Sequence, residues 1–352
     1  PASGLSTYQL FWGPGLYDES NGQSRYTTTG PIGSVAGKLV FDKPKEPDTV
    51  QTISGQIQWI ALQSKYFVAA LLPSSSQPPA RALVALNQFK EYAVGLESPL
   101  TTAQSRALYT LYLGPKEGKR LSRYGPSEAP LSKILDHDYG WFAFLAWPLL
   151  KVLNFFYLYT HNYGVAIILL TFLIKVLFFP LTHKSYQSMR DMQKLQPQIQ
   201  ALQERYKNDK QKLNQEMMRL YRENRVNPLG GCLPMVLQIP IFFALYRVLY
   251  VAIELRHAPF FLWITDLSDK DPYYVSPILM GISMVIQQKM TPTTGDPKQA
   301  KLMLLMPVVF TVLFLNFPVG LVIYWLVNNL LTIGQQYWIQ KKVKAPSATV
   351  KA

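Results

Sequence analysis

Residues Tyr163–Thr182 read YGVAIILLTFLIKVLFFPLT, and Lys175 is the single charge in the stretch. At 1.5 Å rise per residue such a segment is about 30 Å long as a helix, enough to cross a bilayer core. An ammonium near the middle of a span costs roughly 2.5–3.5 kcal/mol on insertion scales, so intramembrane charges face protein or a wet cavity. The competing reading is a lysine that snorkels to the nearer interface along its four-carbon stem. Lys175 lies about 10 Å from the C-terminal end of the stretch, which is far for that stem. It reads as an inward-facing, functional charge.

Around this stretch the chain has 352 residues, 49% of them hydrophobic, and a formal net charge of +14. The apolar residues concentrate after residue 139, so the composition is that of a membrane protein with a water-facing part. The basic excess points to loops facing anionic lipid or to a phosphate-rich partner. Cys232 is the only cysteine, so no intrachain disulfide can form. His137, His161, His183 and His257 are scattered without metal-ligand spacing, and no cofactor is expected. No G-x-x-x-x-G-K-[ST] stretch, carboxylate pair or nucleophile constellation is present, which removes the nucleotide-driven and covalent reaction classes. The chain opens Pro-Ala-Ser-Gly without a basic leader, so an external first domain implies a delivering segment ahead of it.

Up to about residue 133 the sequence reads as β structure. Gln56–Leu62, Tyr66–Leu72, Val84–Val94 and Ala107–Leu113 are runs rich in β-branched and aromatic residues, separated by turn clusters such as Pro73–Pro79. That spacing predicts a sandwich that begins in mid-domain, with a structural or docking role. Tyr139–Thr160 is as apolar as a span but carries Pro148, Lys151 and Asn154 among many aromatics. Lys151 and Asn154 share a helix face, which predicts a helix lying in the membrane interface, with a crossing as the alternative.

Charge sets the topology. Lys184, Arg190, Lys194, Arg205, Lys207, Lys210, Lys212, Arg219, Arg222 and Arg225 face Asp191, Glu204, Asp209, Glu216 and Glu223, a basic balance that belongs in the cytoplasm. After the apolar run Cys232–Ile253, the connection Glu254–Asp271 is acidic and suits the outside. Tyr273–Gln287 returns inward to Lys289, Lys298 and Lys301. Leu302–Ile333 would be about 48 Å as one helix, too long for a ~30 Å core. It is interrupted at Asn316–Gly320 and has basic flanks on both sides, so it reads as two spans with an external hairpin. Five spans result, with the first domain outside and the C-terminus inside. The expected boundaries are 1–133, 134–160, 161–182, 183–227, 228–340 and a basic tail at 341–352.

Within 183–227, Met189, Met192, Leu195, Ile199, Leu202 and Tyr206 recur at spacings of 3 and 4, a coiled-coil-like seam. Asn208 and Asp209 offer a turn and a cap, with Gln211 three residues after Asn208. Leu213, Met217 and Leu220 continue the seam, and Asn227–Gly231 is read as the end of the second helix. A basic helical hairpin follows, kinked in its first arm by Pro197. Its length favours partner docking over a plain connection.

Thr171–Lys175 with Phe179–Thr182 resembles the first core span of the YidC family of membrane protein insertases, related to the Oxa and Alb proteins of organelles. Asn227–Pro234, Gln238–Ile241, Asp271–Gly281 and Phe317–Trp325 resemble the family's other spans in order and spacing. The resemblance covers 139–340, and the preceding domain is similar to the C-terminal half of the periplasmic β-sandwich of Gram-negative members. Those members also have a first transmembrane helix and the rest of the sandwich ahead of it. The resemblance implies an α-helical membrane protein: a five-helix core, an interfacial helix and a cytoplasmic hairpin, after a partial periplasmic β-sandwich. It implies a hydrophilic groove closed on the outside and made positive by a basic residue, here Lys175 where arginine is commoner. The guanidinium fork is thereby lost and the charge kept. Thr171, Gln238, Tyr324 and Trp325 match positions that line the groove or touch the passing chain. Asn328 and Asn329 read either as groove polar groups or as interhelical hydrogen-bond glue. Nascent membrane proteins, the ribosome, the Sec translocon and anionic lipids are the implied partners, in the bacterial inner membrane. The competing classes are an anion- or proton-coupled transporter using Lys175 and a structural assembly factor. The absence of an internal repeat counts against a transporter.

Overall fold

The computed structural model describes residues 7–16, 29–74, 79–99, 107–224, 226, 233–290 and 297–344, with side chains for all except 233–235, 297–304 and 340–344. Two compact units appear, residues 1–143 with 251–254, and residues 144–250 with 255–352.

In the first unit, strands β1 (Thr7–Trp12), β2 (Gly30–Val35), β3 (Lys38–Val40), β4 (Thr49–Ser54), β5 (Ile57–Gln63), β6 (Phe67–Pro73), β7 (Arg81–Leu86), β8 (Tyr92–Pro99) and β9 (Tyr109–Pro115) form two sheets. Their orders are β1-β8-β7-β4 and β3-β2-β5-β6-β9. Ile53, Ala82, Val84, Val94 and Leu96 from the first sheet meet Ile57, Ile60, Leu62 and Leu71 from the second in one buried cluster. This is the expected sandwich, a core made where the apolar faces of two sheets close on each other.

One expectation is corrected here. Val84–Val94 is a hairpin rather than a single run. The Asn87 side chain accepts from the Glu91 amide at 2.8 Å, and Lys90 sits at φ 62°. Asparagine mimics a backbone turn in this way, and the chain reverses between β7 and β8. Strands β1 to β4 lie outside the runs read from the sequence, although β1, TYQLFW, has the aromatic make-up of a strand. Stretches such as GPIGSV and TVQTIS carry little apolar bulk, and their strand state comes from pairing with β5 and β7.

After β9 come α1 (Gly118–Leu121) and α2 (Lys133–Tyr139). Leu121, Ala129, Leu131, Ile134 and Leu135 are fully buried, and the Trp59 indole on β5 donates to the Ala129 carbonyl at 2.9 Å. Lys116 and Asp138 form a buried ion pair that ties the end of β9 to α2.

The second unit is helical: α3 (Ala143–Thr160), α4 (Tyr163–Lys194), α5 (Gln196–Arg205), α6 (Lys210–Glu223), α7 (Leu233–Val251), α8 (Val275–Met290), α9 (Pro297–Phe314) and α10 (Val319–Lys344). Among the described residues, 133–160 and 163–194 are long and apolar enough to cross a membrane, while Val236–Val251 and Leu305–Phe314 are shorter apolar helices. Pro148, Pro180, Pro240 and Pro307 lie inside α3, α4, α7 and α9. In water an interior proline costs about 3 kcal/mol, whereas membrane helices tolerate it because neighbours satisfy the freed backbone groups. Phe172, Val176 and Leu177 on α4, Ile278, Ile282 and Ile286 on α8, and Val308, Val312 and Leu313 on α9 are exposed. So much apolar surface would be an aggregation hazard in water and is natural in lipid.

Helix α10 packs on α4 and α8, and α8 on α9. Helices α4 and α10 run parallel. A Cβ on Gly320 would lie 3.3 Å from Ile167 Cδ1, and farther along Gln335 donates to Thr182 at 2.9 Å. On α3 the exposed positions Phe144, Pro148, Lys151, Phe155 and Leu158 share one face, opposite Ala146, Leu149, Leu150 and Leu153. Lys151 therefore lies on the open face, but Asn154 does not complete a polar stripe with it: Asn154 Oδ1 accepts from the Tyr163 hydroxyl at 3.2 Å.

Helix α4 runs unbroken past Thr182 to Lys194. Met192, Leu195 and Ile199 meet Tyr221, Met217 and Leu220 across the hairpin, so the seam read from the sequence does pair α5 with α6. Two details differ from expectation. Pro197 opens the new helix α5 after Leu195 instead of kinking one arm, because a proline in the first turn forfeits no helical hydrogen bond. The cap of α6 is Asp209, one of the two residues expected there, accepting from the Lys212 amide at 2.9 Å, so the box of Asn208 with Gln211 is what differs. Helix α6 ends at Glu223, and Asn227–Gly231 lies outside the described residues, as does Cys232.

Candidate functional site

Lys175 is half-buried and turns inward. Its Nζ donates to Thr332 Oγ1 on α10 at 2.6 Å, and Thr332 in turn donates to the Asn328 carbonyl at 2.7 Å. The neighbouring contacts pair α4 and α10 at a sequence offset of 153, Ile167 with Gly320 and Thr182 with Gln335, whereas Lys175 reaches Thr332 at an offset of 157. The side chain thus leans about one turn toward the helix C-termini, and it ends on a buried hydroxyl rather than at the bundle surface. Among the described residues no carboxylate pairs with it. An ammonium has three donors, and Thr332 occupies one.

A polar face of α10 carries this contact. Tyr324, Asn328, Thr332 and Gln336 follow at intervals of four, so they line one face over about 18 Å. Near the start of that face, Gln238 on α7 donates to the Tyr324 hydroxyl. Farther along, Thr182 and Gln335 bond, and the Tyr186 hydroxyl interacts with Gln336 and Thr332. On the adjacent flank Asn329 is buried and donates to Ser283 on α8 at 3.0 Å. Of the two readings open for Asn329, interhelical glue fits. Asn328 is half-buried and contributes its carbonyl to the Lys175–Thr332 chain.

Not all the sequence-derived candidates converge. Thr171 is 1% exposed, and its hydroxyl bonds back to the Ile167 carbonyl of its own helix at 2.7 Å. Trp325 points into an aromatic cage, with ring centroids 4.9 Å from Phe242, 5.4 Å from Phe314 and 5.8 Å from Phe310. Its indole nitrogen is buried and has no hydrogen-bond partner among the described residues. Thr332, Gln335, Gln336 and Ser283 escaped the sequence reading. The four-residue recurrence that begins at Tyr324 was the available signal, and it runs past Ile333, where the last span was taken to end.

The two ends of the bundle differ. At the end where α4 and α10 begin, the 255–271 connection packs over both helices. Asn162 caps α4 and also donates to the Phe260 carbonyl at 3.1 Å, while Val319 and Gly320 amides donate to Asp269 and Leu267 carbonyls. Asp271 accepts from the Ser276 amide and hydroxyl, the Tyr273 amide and the Trp263 indole, which fixes that connection to the start of α8. Toward the other end, Tyr186, Met189, Arg190, Gln193, Met290, Gln336 and Ile339 line a cleft of about 350 Å³, counted out to its open mouth.

These features define a polytopic helical membrane protein with a β-sandwich ahead of its bundle and an inward-facing cation, Lys175, between α4 and α10. The family model described as 60Kd inner membrane protein matches residues 155–346, and the one described as YidC periplasmic domain matches residues 1–152. The chain belongs to the YidC family of membrane protein insertases. It is 50% identical over 339 residues to the membrane protein insertase YidC of Syntrophus aciditrophicus, covering 95% of this chain and 61% of that one. It is 51% identical over 328 residues to the protein of the same name from Geotalea daltonii, covering 92% and 61%. The chain therefore spans less than two thirds of the length of these relatives. An active YidC insertase crystal structure with the first transmembrane domain resolved matches with a TM-score of 0.51 over 89% of this chain and 84% of that one. At 22% identity that likeness bears on the fold.

Proposed function

We propose that the chain forms the inserting core of a membrane protein insertase. It moves the polar tail of a nascent membrane protein along the Lys175 face of α10 and releases the client's apolar helix into lipid. The observation that carries this reading is the Lys175–Thr332 contact: a cation held between helices, without a carboxylate partner among the described residues, on a polar face about 18 Å long. Such a track lets a polar tail shed its water over only part of a ~30 Å core. A positive charge in low dielectric attracts the acidic groups of that tail. Transfer of the client helix into lipid supplies the driving force, with no covalent step. Helix α8, about 24 Å long at 16 residues, favours local bilayer thinning that lowers the barrier further.

In this reading the half-buried Lys175, Gln238 and Asn328 line the groove, the buried Tyr324 and Thr332 hold them from behind, and Thr171 and Trp325 are packing. The packed end under the 255–271 connection faces the periplasm with the sandwich, and the hairpin and C-terminus face the cytoplasm. Helix α3 (Ala143–Thr160) is the interfacial helix, shorter than the expected 134–160 because Lys133–Tyr139 forms the separate, buried helix α2. The basic hairpin meets ribosomal RNA or anionic lipid, contacts that weaken as salt rises, and the Sec translocon is a working partner for longer clients.

The test is reconstitution of the chain in liposomes with a single-span client bearing an acidic tail. Protease-protected client is expected to fall severalfold in Lys175→Ala. Equal insertion by both proteins overturns the reading.

A further inference from the structure

We propose that Thr332 is a positioning residue for Lys175: its hydroxyl catches the ammonium partway along its lean toward the helix C-termini and keeps the charge inside the bundle. The inference rests on the groove reading above and adds to it the residue that sets where the charge resides.

Three observations carry it. Lys175 leans a full turn beyond the level of its own Cα, the direction in which a snorkelling stem would go. The lean ends at Thr332 Oγ1, on a side chain that is 3% exposed, at 2.6 Å. Thr332 is itself fixed, because its hydroxyl donates to the Asn328 carbonyl at 2.7 Å and also meets the Tyr186 hydroxyl. A neutral hydroxyl suits the task. It anchors the ammonium through one donor and leaves two for water or a client carboxylate, whereas a carboxylate at position 332 would neutralise the charge. Without the hydroxyl, the stem is free to extend toward the interface, and the groove loses its field.

The experiment compares Thr332→Val, which keeps shape and removes the hydroxyl, with Thr332→Ser, which keeps it. Both go into liposomes with two clients that differ only in an acidic or a neutral tail. The readout is the ratio of acidic-tail to neutral-tail insertion, which a general packing defect leaves unchanged. The ratio is expected to fall about tenfold or more in Thr332→Val, in line with a lost hydrogen bond to a charged group, and to return in Thr332→Ser. A ratio that stays the same or rises in Thr332→Val overturns the positioning role. So does a fall that serine does not restore. Lys175→Gln is measured alongside. If it leaves the ratio unchanged, the groove reading itself fails. If it lowers the ratio while Thr332→Val does not, only this inference fails.

Discussion

Lys116 and Asp138 form an ion pair in which each side chain is 1% exposed, and Lys116 also donates to Gln63 Oε1 at 3.2 Å and to the Ser64 carbonyl at 3.3 Å. The pair joins the last strand of the sandwich to α2. Removing one member of a buried pair strands the other charge, at a cost of about 3–5 kcal/mol, while replacing both by apolar residues is often neutral. Asp138→Ala is therefore expected to lower the unfolding free energy of the chain by that amount, and Lys116→Met with Asp138→Leu to recover most of it. Protease resistance across a urea series measures both. Equal loss in the single and double variants would refute the argument.

Glu254 supplies a pH prediction. Burial lifts its carboxyl above the usual range, its own backbone amide opposes this, and the Glu117 charge adds to the lift. A carboxyl whose folded value is raised gives stability that is present below the unfolded value and lost as pH rises through the folded value. The chain should lose stability over that window, and Glu254→Gln should flatten the loss and match or exceed the parent at neutral pH. Thermal unfolding from pH 4 to pH 8 tests it; a parallel decline in both proteins counts against it.

Asp271 runs in the opposite sense. Burial would raise its carboxyl, but the hydrogen bonds from Ser276, Tyr273 and Trp263 outweigh burial and hold it below the usual range. Its contribution is present above the unfolded value and lost as pH falls through the depressed folded value. Asp271→Ala is expected to cost at least about 2 kcal/mol at neutral pH. The difference from the parent should shrink on acidification, and a difference that grows there would contradict the assignment.

Gly164 tests the packed end of the bundle. A Cβ there would lie 2.0 Å from Phe260 Cδ2. Gly164→Ala should displace the 255–271 connection at a cost of about 1–3 kcal/mol. Cleavage within that connection by an added protease should rise. Unchanged cleavage would mean the connection is held elsewhere.

How much was legible in the sequence follows from what kind of force fixed each element. Lys175 could be read because a lone charge in an apolar stretch has few physical options. The hairpin seam could be read because Met192, Leu195 and Ile199 repeat at helical spacing. The turn at Asn87–Glu91 was hidden by apolar neighbours on both sides. Strands β2 and β4 were hidden because partners, not composition, make them strands. Thr332 was missed because a threonine in a helix has no distinctive pattern until its i+4 relation to Asn328 and Gln336 is followed along α10. Trp325 was expected to line the groove or touch the passing chain; its contacts with Phe242, Phe310 and Phe314 depend on three helices that no local pattern brings together.

The central claim is that the charge at Lys175 draws client tails inward, and a charge exchange tests it most directly. With Lys175→Glu in liposomes, insertion of an acidic-tailed client is expected to drop by roughly tenfold or more, and a client whose tail acids are changed to lysine should insert in its place. If Lys175→Glu inserts the acidic-tailed client as well as the parent does, attraction by Lys175 is not what moves the chain.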